Sequence, residues 1–323
     1  PLFMPVIWII LWLPSSVVHS QKHRYVDPLI GSEGLGNVFI GPSAPYGMIK
    51  PGPDNDADAN SGFSADPTKE IFGFSQVHVS GTGGGAKYGN ISVMPFSSDA
   101  DAADIEQHSF RSHEQVALGY YSVMLDRWNI QTQITTSDRA AFYHFSYPAG
   151  SRKLVKIDLG KFLGEPAIPD PEAREAQQFV SSEIEIVSDT EVRGYSRIRG
   201  GWNNGSAYTV YFSAVFDRPF AWFSTWKGAT SYPSQRIQID TGEKTGAMLL
   251  FGGAGDDVQM KIGISFLSSL KARDHIDREI PHWQFSKTLE QVQEKWESIF
   301  NRLEVNADAA PHLKTMLYTG LYH

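Results

Sequence analysis

The sequence predicts a mainly β chain: a large antiparallel β-sandwich followed by helices. Three observations predict it. Short segments from about Tyr25 to Leu267 alternate apolar and polar residues with a period of two, as strands with one buried face do. Twenty-nine glycines and 18 prolines supply turns between such strands. After residue 268 the apolar spacing changes to steps of three and four, which is helical.

The elements follow in order. Ile130, Thr132 and Ile134 alternate with Gln131 and Gln133, and Ile184 and Ile186 with Glu183 and Glu185. Ile237 and Ile239 alternate with Gln238 and Asp240, and Met260, Ile262, Ile264 and Phe266 mark the last strand. The isoleucines are expected on the buried face. No stretch alternates strand with long helix, which argues against a doubly wound sheet. Asp274 to Glu279 reads as a short helix. Pro281 to Val305 reads as a longer one, through Phe285, Leu289, Val292, Trp296, Ile299, Phe300 and Leu303. Asp308 and Pro311 fit the start of a last helix, whose stripe of Leu313, Met316, Leu317 and Leu321 requires a partner to cover it.

A chain of 323 residues can bury a sizeable core. A net charge of −8 and a pI near 5.7 argue against nucleic acid or an anionic membrane as partner. The absence of cysteine excludes disulfides, thiolate zinc sites and a cysteine nucleophile. Leu2 to Leu13 is an apolar run of twelve, followed by small residues up to Ser20. A membrane span needs about 18 such residues. Residues 1–20 therefore read as a secretory signal peptide, with a buried N-terminal segment as the alternative. No membrane span is expected after its cleavage, and no cysteine precedes residue 21 to carry a lipid.

The densest motifs lie between Tyr25 and Phe96. Gly31, Gly34, Gly36, Gly41, Gly47 and Gly52, with four prolines, mark irregular loops whose backbone comes close to something, or tight turns between edge strands. Gly81 to Ala86 matches G-x-G-x-x-A, but YGNISVMPF after it reads as a strand, whereas a dinucleotide fingerprint opens a helix. A phosphate loop fails as well, since Ala86 and Tyr88 stand where Gly and Ser or Thr belong. The loop reads as a β–β connection whose N–H groups and hydroxyls suit a polyhydroxylated ligand or a facing domain. His78 falls two residues before Ser80, on one face if the strand reaches that far. No acidic residue at motif spacing makes it a base, and no second histidine makes a metal pair. Asp54, Asp56, Asp58 and Asn60 have calcium-loop spacing, but Ala59 and Ala65 replace the required Gly and Glu, so a solvated acidic turn is the better reading. Trp202, in a Gly- and Asn-rich turn, is either a sugar platform or a packing residue.

YVDPLIGSEGLGNVFIGPSAPYGMIKPGPD followed by GFSQVHVSGTGGGAKYGNISVMP resembles the N-terminal domain of glycoside hydrolase family 92. YYSVMLDRWNIQTQITTSDRAAFYHFSYP, MKIGISFLSS and LKTMLYTGLYH agree, so the resemblance runs from about residue 25 to 323. It implies residues 21–268 as the β-sandwich domain, 269–306 as a helical linker, and 307–323 as the first helix of an (α/α)6 catalytic barrel. It also implies a secreted bacterial exo-α-mannosidase, periplasmic or extracellular, acting on α-1,2-linked mannosides in mannose-containing glycans. The implied reaction is inverting hydrolysis with bound calcium. The two carboxylates and most calcium ligands are implied in the barrel, so no catalytic or metal-binding residue is expected in this chain, and the chain alone is expected to be inactive.

The resemblance makes Gly34, Asn37, Asn60, Phe63, His78, Ser80, Gly81 and Thr82 the substrate-facing residues. Three departures from the family pattern stand out. Gln76 replaces the first histidine of His-x-His-x-Ser-Gly-Thr-Gly, Phe63 stands where a tryptophan is common nearby, and Leu35 and Asn37 occupy a loop that often carries histidines. A stand-alone carbohydrate-binding sandwich and a ligand-free scaffold are the alternative readings.

Overall fold

The computed structural model describes residues 21–82, 86–98, 106–164, 176–201, 205–306 and 308–323. The signal peptide read at 1–20, the glycines at 83–85 and Trp202 lie outside the described residues.

In chain order the strands begin with β1 (Gly52–Asp54), β2 (Gly73–Ser75), β3 (Ser92–Phe96), β4 (Arg111–Ala117), β5 (Tyr120–Leu125), β6 (Ile130–Thr136), β7 (Ala140–Ser146) and β8 (Lys153–Asp158). They continue with β9 (Gln177–Ile186), β10 (Glu191–Gly200), β11 (Tyr208–Phe216), β12 (Phe220–Lys227), β13 (Thr230–Pro233), β14 (Ile237–Asp240), β15 (Thr245–Phe251) and β16 (Asp257–Ser265). Three helices follow: α1 (Ser269–Glu279), α2 (Phe285–Phe300) and α3 (Pro311–Tyr322). One antiparallel sheet runs β1-β2-β3-β8-β15-β12-β13 and the other β14-β9-β10-β11-β16-β7-β6-β5-β4. Inward side chains of both, among them Val93, Val155, Ile157, Leu249, Ile134, Tyr143, Phe212 and Ile262, form one apolar core between them. This is the expected sandwich with helices at its C-terminal side.

The period-two reading holds for β6, β9 and β16, where Ile130, Ile134, Ile184, Ile186, Met260, Ile262 and Ile264 are buried. Phe266 falls one residue past the end of β16 and is half exposed. In β14 the expectation is reversed: Ile237 and Ile239 are exposed and Gln238 is buried. The pairing Gln238↔Ile184 puts the glutamine on the inner face of the sheet, and cross-strand register overrides side-chain polarity at this edge. The strand read up to Ser80 ends at Ser75, so His78 lies in the loop after β2.

α1 is longer than its sequence signal. Ser268 caps it by accepting the Lys271 N–H at 3.1 Å, five residues before the expected start. α2 starts at Phe285 rather than Pro281 and ends at Phe300, and Leu303 lies beyond it. α3 is capped by Ala310, not Asp308, with Pro311 in its first turn as expected. The α3 stripe of Leu313, Met316, Leu317 and Leu321 is exposed, and Tyr318, Thr319 and Tyr322 face the rest of the molecule instead.

α1 packs on the outer face of the larger sheet through Ala272 and Ile276, with Ala140, Phe142 and Ile280. Gly263 permits the approach, because a Cβ there would lie 2.2 Å from the Ala272 carbonyl oxygen. At the end of α1, Lys261 donates to the Ile280 carbonyl at 3.0 Å and its ammonium sits 4.0 Å from the centre of the Trp283 ring. Burial lowers its pKa to about 8, against an opposing pull from Asp277 and a reinforcing one from Arg273. Between about pH 8 and the ordinary 10.5 the unfolded chain keeps a proton that the folded chain has released. Stability therefore rises with pH through that window. The stability of the wild type relative to Lys261→Met should be flat below pH about 8 and climb above it; urea midpoints of the two proteins that run parallel across the window would sink the assignment.

Candidate functional site

Three loops build the site: the chain before β1, the β1–β2 loop and the β2–β3 loop. The first two enclose a groove of about 610 Å³, and Gly34, Asn37, Asn60 and Phe63 all line it. The third is tied to both. Gly81 N–H donates to the Asn37 carbonyl at 2.9 Å, Phe39 N–H donates to Ser80 Oγ at 3.1 Å, and Thr82 Oγ1 donates to Asn60 Oδ1 at 3.2 Å. Gly81 turns the chain there at φ +66°, with open space where a side chain would stand. Asn55 closes the β1–β2 loop by bonding both ways with the Ser64 backbone, at 2.7 Å each.

Seven of the eight sequence-predicted residues thus line the groove or bond to its walls. The eighth, His78, lies beneath. Its Nδ1 bonds the Lys50 carbonyl at 2.8 Å, its Nε2 meets Asp54 Oδ1 at 2.8 Å, and its ring stacks on Phe39 with centroids 4.7 Å apart. A carbonyl only accepts, so Nδ1 carries a proton, and Nε2 also lies 3.1 Å from the Ser75 hydroxyl. Ser75 adds its backbone N–H to Asp54 Oδ2 at 3.0 Å and its hydroxyl to Oδ1 at 2.9 Å. Both side chains of the His78–Asp54 pair are fully enclosed. His78 therefore acts on the groove through the backbone it holds. Phe63 is likewise enclosed at 3% exposure, with the Arg111 guanidinium 5.4 Å from its ring centre.

Sequence reasoning missed Asp54, Ser75 and Phe39 as the support of this loop. Asp54 stood out only as the first member of an acidic series, and no local pattern links it to a histidine 24 residues later. The structure disperses that series. Asp54 points inward, Asp56 accepts from Lys69, and Asp58 is exposed. No three acidic or histidine side chains converge to hold a metal ion among the described residues.

The groove lining carries Glu33, Asp56, Asp58 and Asp66, with no lysine or arginine among its described residues. The Thr68 hydroxyl and then its amide hold the Asp66 carboxyl below the ordinary carboxylate range, while the bond to Asp56 raises the Lys69 ammonium. Such a surface, with Asn37 and Asn60 amides and the Thr82 hydroxyl beside it, favours a neutral polyol over an anion. Gln76 takes no part in it. Fully buried, it donates to the Phe74 and Ile91 carbonyls at 2.9 and 3.3 Å and accepts from Tyr143 at 3.1 Å, bridging the two sheets.

Comparison with known proteins converges on one family. Residues 25–265 match the Glycosyl hydrolase family 92 N-terminal domain, and residues 271–323 match the Glycosyl hydrolase family 92 catalytic domain. An uncharacterized secreted glycosidase of Arthroderma benhamiae is 26% identical over 303 residues, covering 84% of this chain and 37% of the relative. A family GH92 α-mannosidase from Bacteroides thetaiotaomicron superimposes with a TM-score of 0.81 at 25% identity, over 94% of this chain and 41% of that one. An inverting mannosidase of the same family from Bacteroides thetaiotaomicron VPI-5482 gives 0.75 at 23% identity, over 93% and 39%. The chain spans about two fifths of the length of these relatives. With the N-terminal domain matched over most of its length and the sandwich shared, the chain belongs to glycosyl hydrolase family 92.

Proposed function

We propose that the chain supplies the sugar-facing loops of a secreted exo-α-mannosidase that hydrolyses α-1,2-linked mannosides with inversion. The observation that carries this is the groove itself. Gly34, Asn37, Asn60 and Phe63 meet on one polar, carboxylate-rich surface, fastened to Ser80, Gly81 and Thr82, in a chain of this family. The mannosidase from Bacteroides thetaiotaomicron is also known in complex with mannoimidazole, which supports a mannose-containing glycan as substrate class. The relative named a secreted glycosidase supports export. A periplasmic or extracellular place in a bacterium completes the reading. No helix among the described residues is long and apolar enough to cross a membrane.

Inverting hydrolysis needs a carboxylic acid to protonate the leaving oxygen and a second carboxylate, roughly 6.5–9.5 Å away, to activate water. Neither is assigned to this chain. Both belong to the catalytic (α/α)6 domain, whose family profile the chain meets over residues 271–323. The exposed stripe of Leu313, Met316, Leu317 and Leu321 on α3 is the surface on which the further helices of that domain would pack. Calcium is part of the proposal for the whole protein only, since the described residues do not assemble ligands for it.

In this arrangement the chain binds and orients. The Asn37 and Asn60 amides and the Thr82 hydroxyl offer hydrogen bonds to sugar hydroxyls, while the enclosed His78–Asp54 pair keeps their loops in place. The test is to supply α-1,2-mannobiose to this chain and to a polypeptide that carries a whole catalytic domain behind it. Mannose is expected from the second alone, with the β-anomer first by NMR. Turnover by the chain alone would contradict the placement of the carboxylates, and no turnover by either would sink the mannosidase reading.

A further inference from the structure

A second cavity, of about 340 Å³, lies on the outer face of the smaller sheet and shares no lining residue with the groove. Val93, Val155 and Ile157 of β3 and β8 point into the core between the sheets. The alternating positions Lys156 and Asp158 therefore point outward, into this cavity. Trp226 of β12 forms one wall. Its indole lies against Gly246, where a Cβ would approach to 2.4 Å, so the missing side chain makes the seat for the ring. Trp226 is 3% exposed, yet its indole N–H has no hydrogen-bond partner among the described residues. A buried donor left unpaired is costly, and native proteins avoid it unless a ligand or water completes the site.

The cavity is also rich in cations. Lys161 has its ammonium 4.1 Å from the centre of the Phe72 ring and makes no ion pair among the described residues. Lys244 contributes a second ammonium without an ion pair there, 5.2 Å from the Phe162 ring. Lys156 is the third, and it meets Asp158 at 3.4 Å. Asp158 also accepts the Gly160 N–H at 2.9 Å, and its charge acts on Lys161 as well. Glu106 and Glu243 stand at the solvent side, largely exposed. Burial lowers the Lys161 pKa, opposed by the charges of Asp158 and Asp54 and reinforced by those of Lys156 and Lys244.

We propose that this cavity is a second ligand site that takes a phosphate or sulfate group, free or carried on a sugar. Among the described residues the Trp226 N–H has no acceptor and Lys161 and Lys244 make no ion pair, and an oxyanion would supply several acceptor oxygens to these donors at once, in a cavity whose three lysines are matched by Glu106, Asp158 and Glu243. The volume exceeds what a bare ion needs and falls in the range of small-molecule sites, and the Trp226 and Phe72 rings suit a sugar face. The groove, with its four carboxylates, disfavours such a ligand, so the two sites would sort neutral from anionic sugars.

The test follows the Trp226 indole N–H by NMR in the chain labelled with 15N-tryptophan, its signal assigned from Trp226→Phe. Sodium phosphate, sodium sulfate and glucose 6-phosphate are titrated at constant ionic strength, with glucose as the neutral control. A saturable shift of that signal with the anions, and none with glucose, is expected at millimolar concentration or below. Tighter binding of glucose 6-phosphate than of phosphate identifies the sugar-borne group, and equal binding identifies the free ion. Lys161→Met should weaken binding about tenfold or more, as loss of a charge-assisted hydrogen bond does, and Lys161→Arg should retain it. Because Lys161 makes no ion pair among the described residues, the unliganded Lys161→Met protein should melt no lower than the wild type, which separates ligand loss from misfolding. An indole signal unmoved by all three anions, a shift that never saturates, or equal affinity in Lys161→Met would each overturn the proposal.

Discussion

Asp54→Ala should cost about 3–5 kcal/mol of stability, the range for removing one partner from a buried charged pair. Asp54 is fully buried and accepts three hydrogen bonds at once, from Ser75 N–H, Ser75 Oγ and His78 Nε2. Alanine would leave the Ser75 N–H without its acceptor, and the Ser75 hydroxyl and His78 Nε2 with only each other, in a site closed to water. The damage should also be directional. His78 holds the Lys50 carbonyl and stacks on Phe39, and Phe39 N–H bonds Ser80 Oγ, so the loops at 37–41 and 78–82 should exchange amide hydrogens faster than the sheets do. Asp54→Asn keeps the shape but sets its NH2 against the Ser75 N–H, and should cost less, about 1–3 kcal/mol. Adding Ser75→Ala to Asp54→Ala should change little more, because the two act as one unit. Urea denaturation measures the first and third effects, and hydrogen exchange the second. A loss below about 1 kcal/mol, or loosening spread evenly through the sandwich, would refute this role for Asp54.

Trp296→Ala should cost a comparable amount, about 3–5 kcal/mol for a large aromatic removed from a packed core, but at the opposite kind of place. Trp296 is the centre of a separate apolar cluster that joins α2 and α3 to the chain at Val26 and Ala44. Its ring lies 5.6 Å from that of Phe300 and 4.9 Å from that of Tyr322, and its indole N–H donates to the Ser43 carbonyl at 2.8 Å. The Tyr322 hydroxyl reaches the Gly41 carbonyl at 3.3 Å, and Thr319 Oγ1 accepts the Asp27 N–H at 3.0 Å. Without the tryptophan α3 keeps these two bonds and the Tyr318 ring against Tyr25 and Phe300, but loses the ring that joins it to α2 and Ser43. Limited proteolysis between α2 and α3 should therefore accelerate while the sandwich stays folded, and thermal melting should separate into a helical and a sheet transition. Trp296→Phe should fall between wild type and alanine, since it keeps most of the volume but orphans the Ser43 carbonyl. A single cooperative melt lowered by less than about 1 kcal/mol would show that the helices do not depend on this residue.

The same cluster links the helices to the groove. Gly41 and Ser43 lie two and four residues after Phe39, whose N–H bonds Ser80 Oγ in the 78–82 loop. A displacement of α2 or α3 is thus transmitted to the sugar-facing loop through four residues of backbone. Trp296→Ala should loosen the 37–41 segment, and that loosening should be weaker than the one produced by Asp54→Ala.

The sandwich was legible in the sequence because strand formation and helix formation leave local periodicities. Ile130, Ile134, Ile184, Met260 and Ile262 declare a buried face within a few residues, and Val292, Trp296 and Phe300 declare a helical one. The family was legible because the glycine-rich loops and their flanking residues recur as motifs. Positions Gly34, Asn37, Asn60 and Phe63, chosen on those motifs, meet on one groove. Less was legible about what each side chain does there. His78 looked solitary because its carboxylate partner stands at Asp54, brought to it only when β1 pairs with β2. Gln76 looked like a change at the site, but the strand pairing turns it into the core against Tyr143.

By itself the sequence determined the class of each element, the change from strands to helices near residue 268, and the loops that gather at the groove. All of these depend on neighbours along the chain, where spacing and turn chemistry suffice. Only the tertiary structure decided which face of β14 is buried, where α1 begins, which residues carry the His78 loop, and that Trp226 and three lysines line one cavity. Each of those rests on a contact between residues distant in sequence, and such contacts are set by register and packing, of which a single strand or helix holds no record.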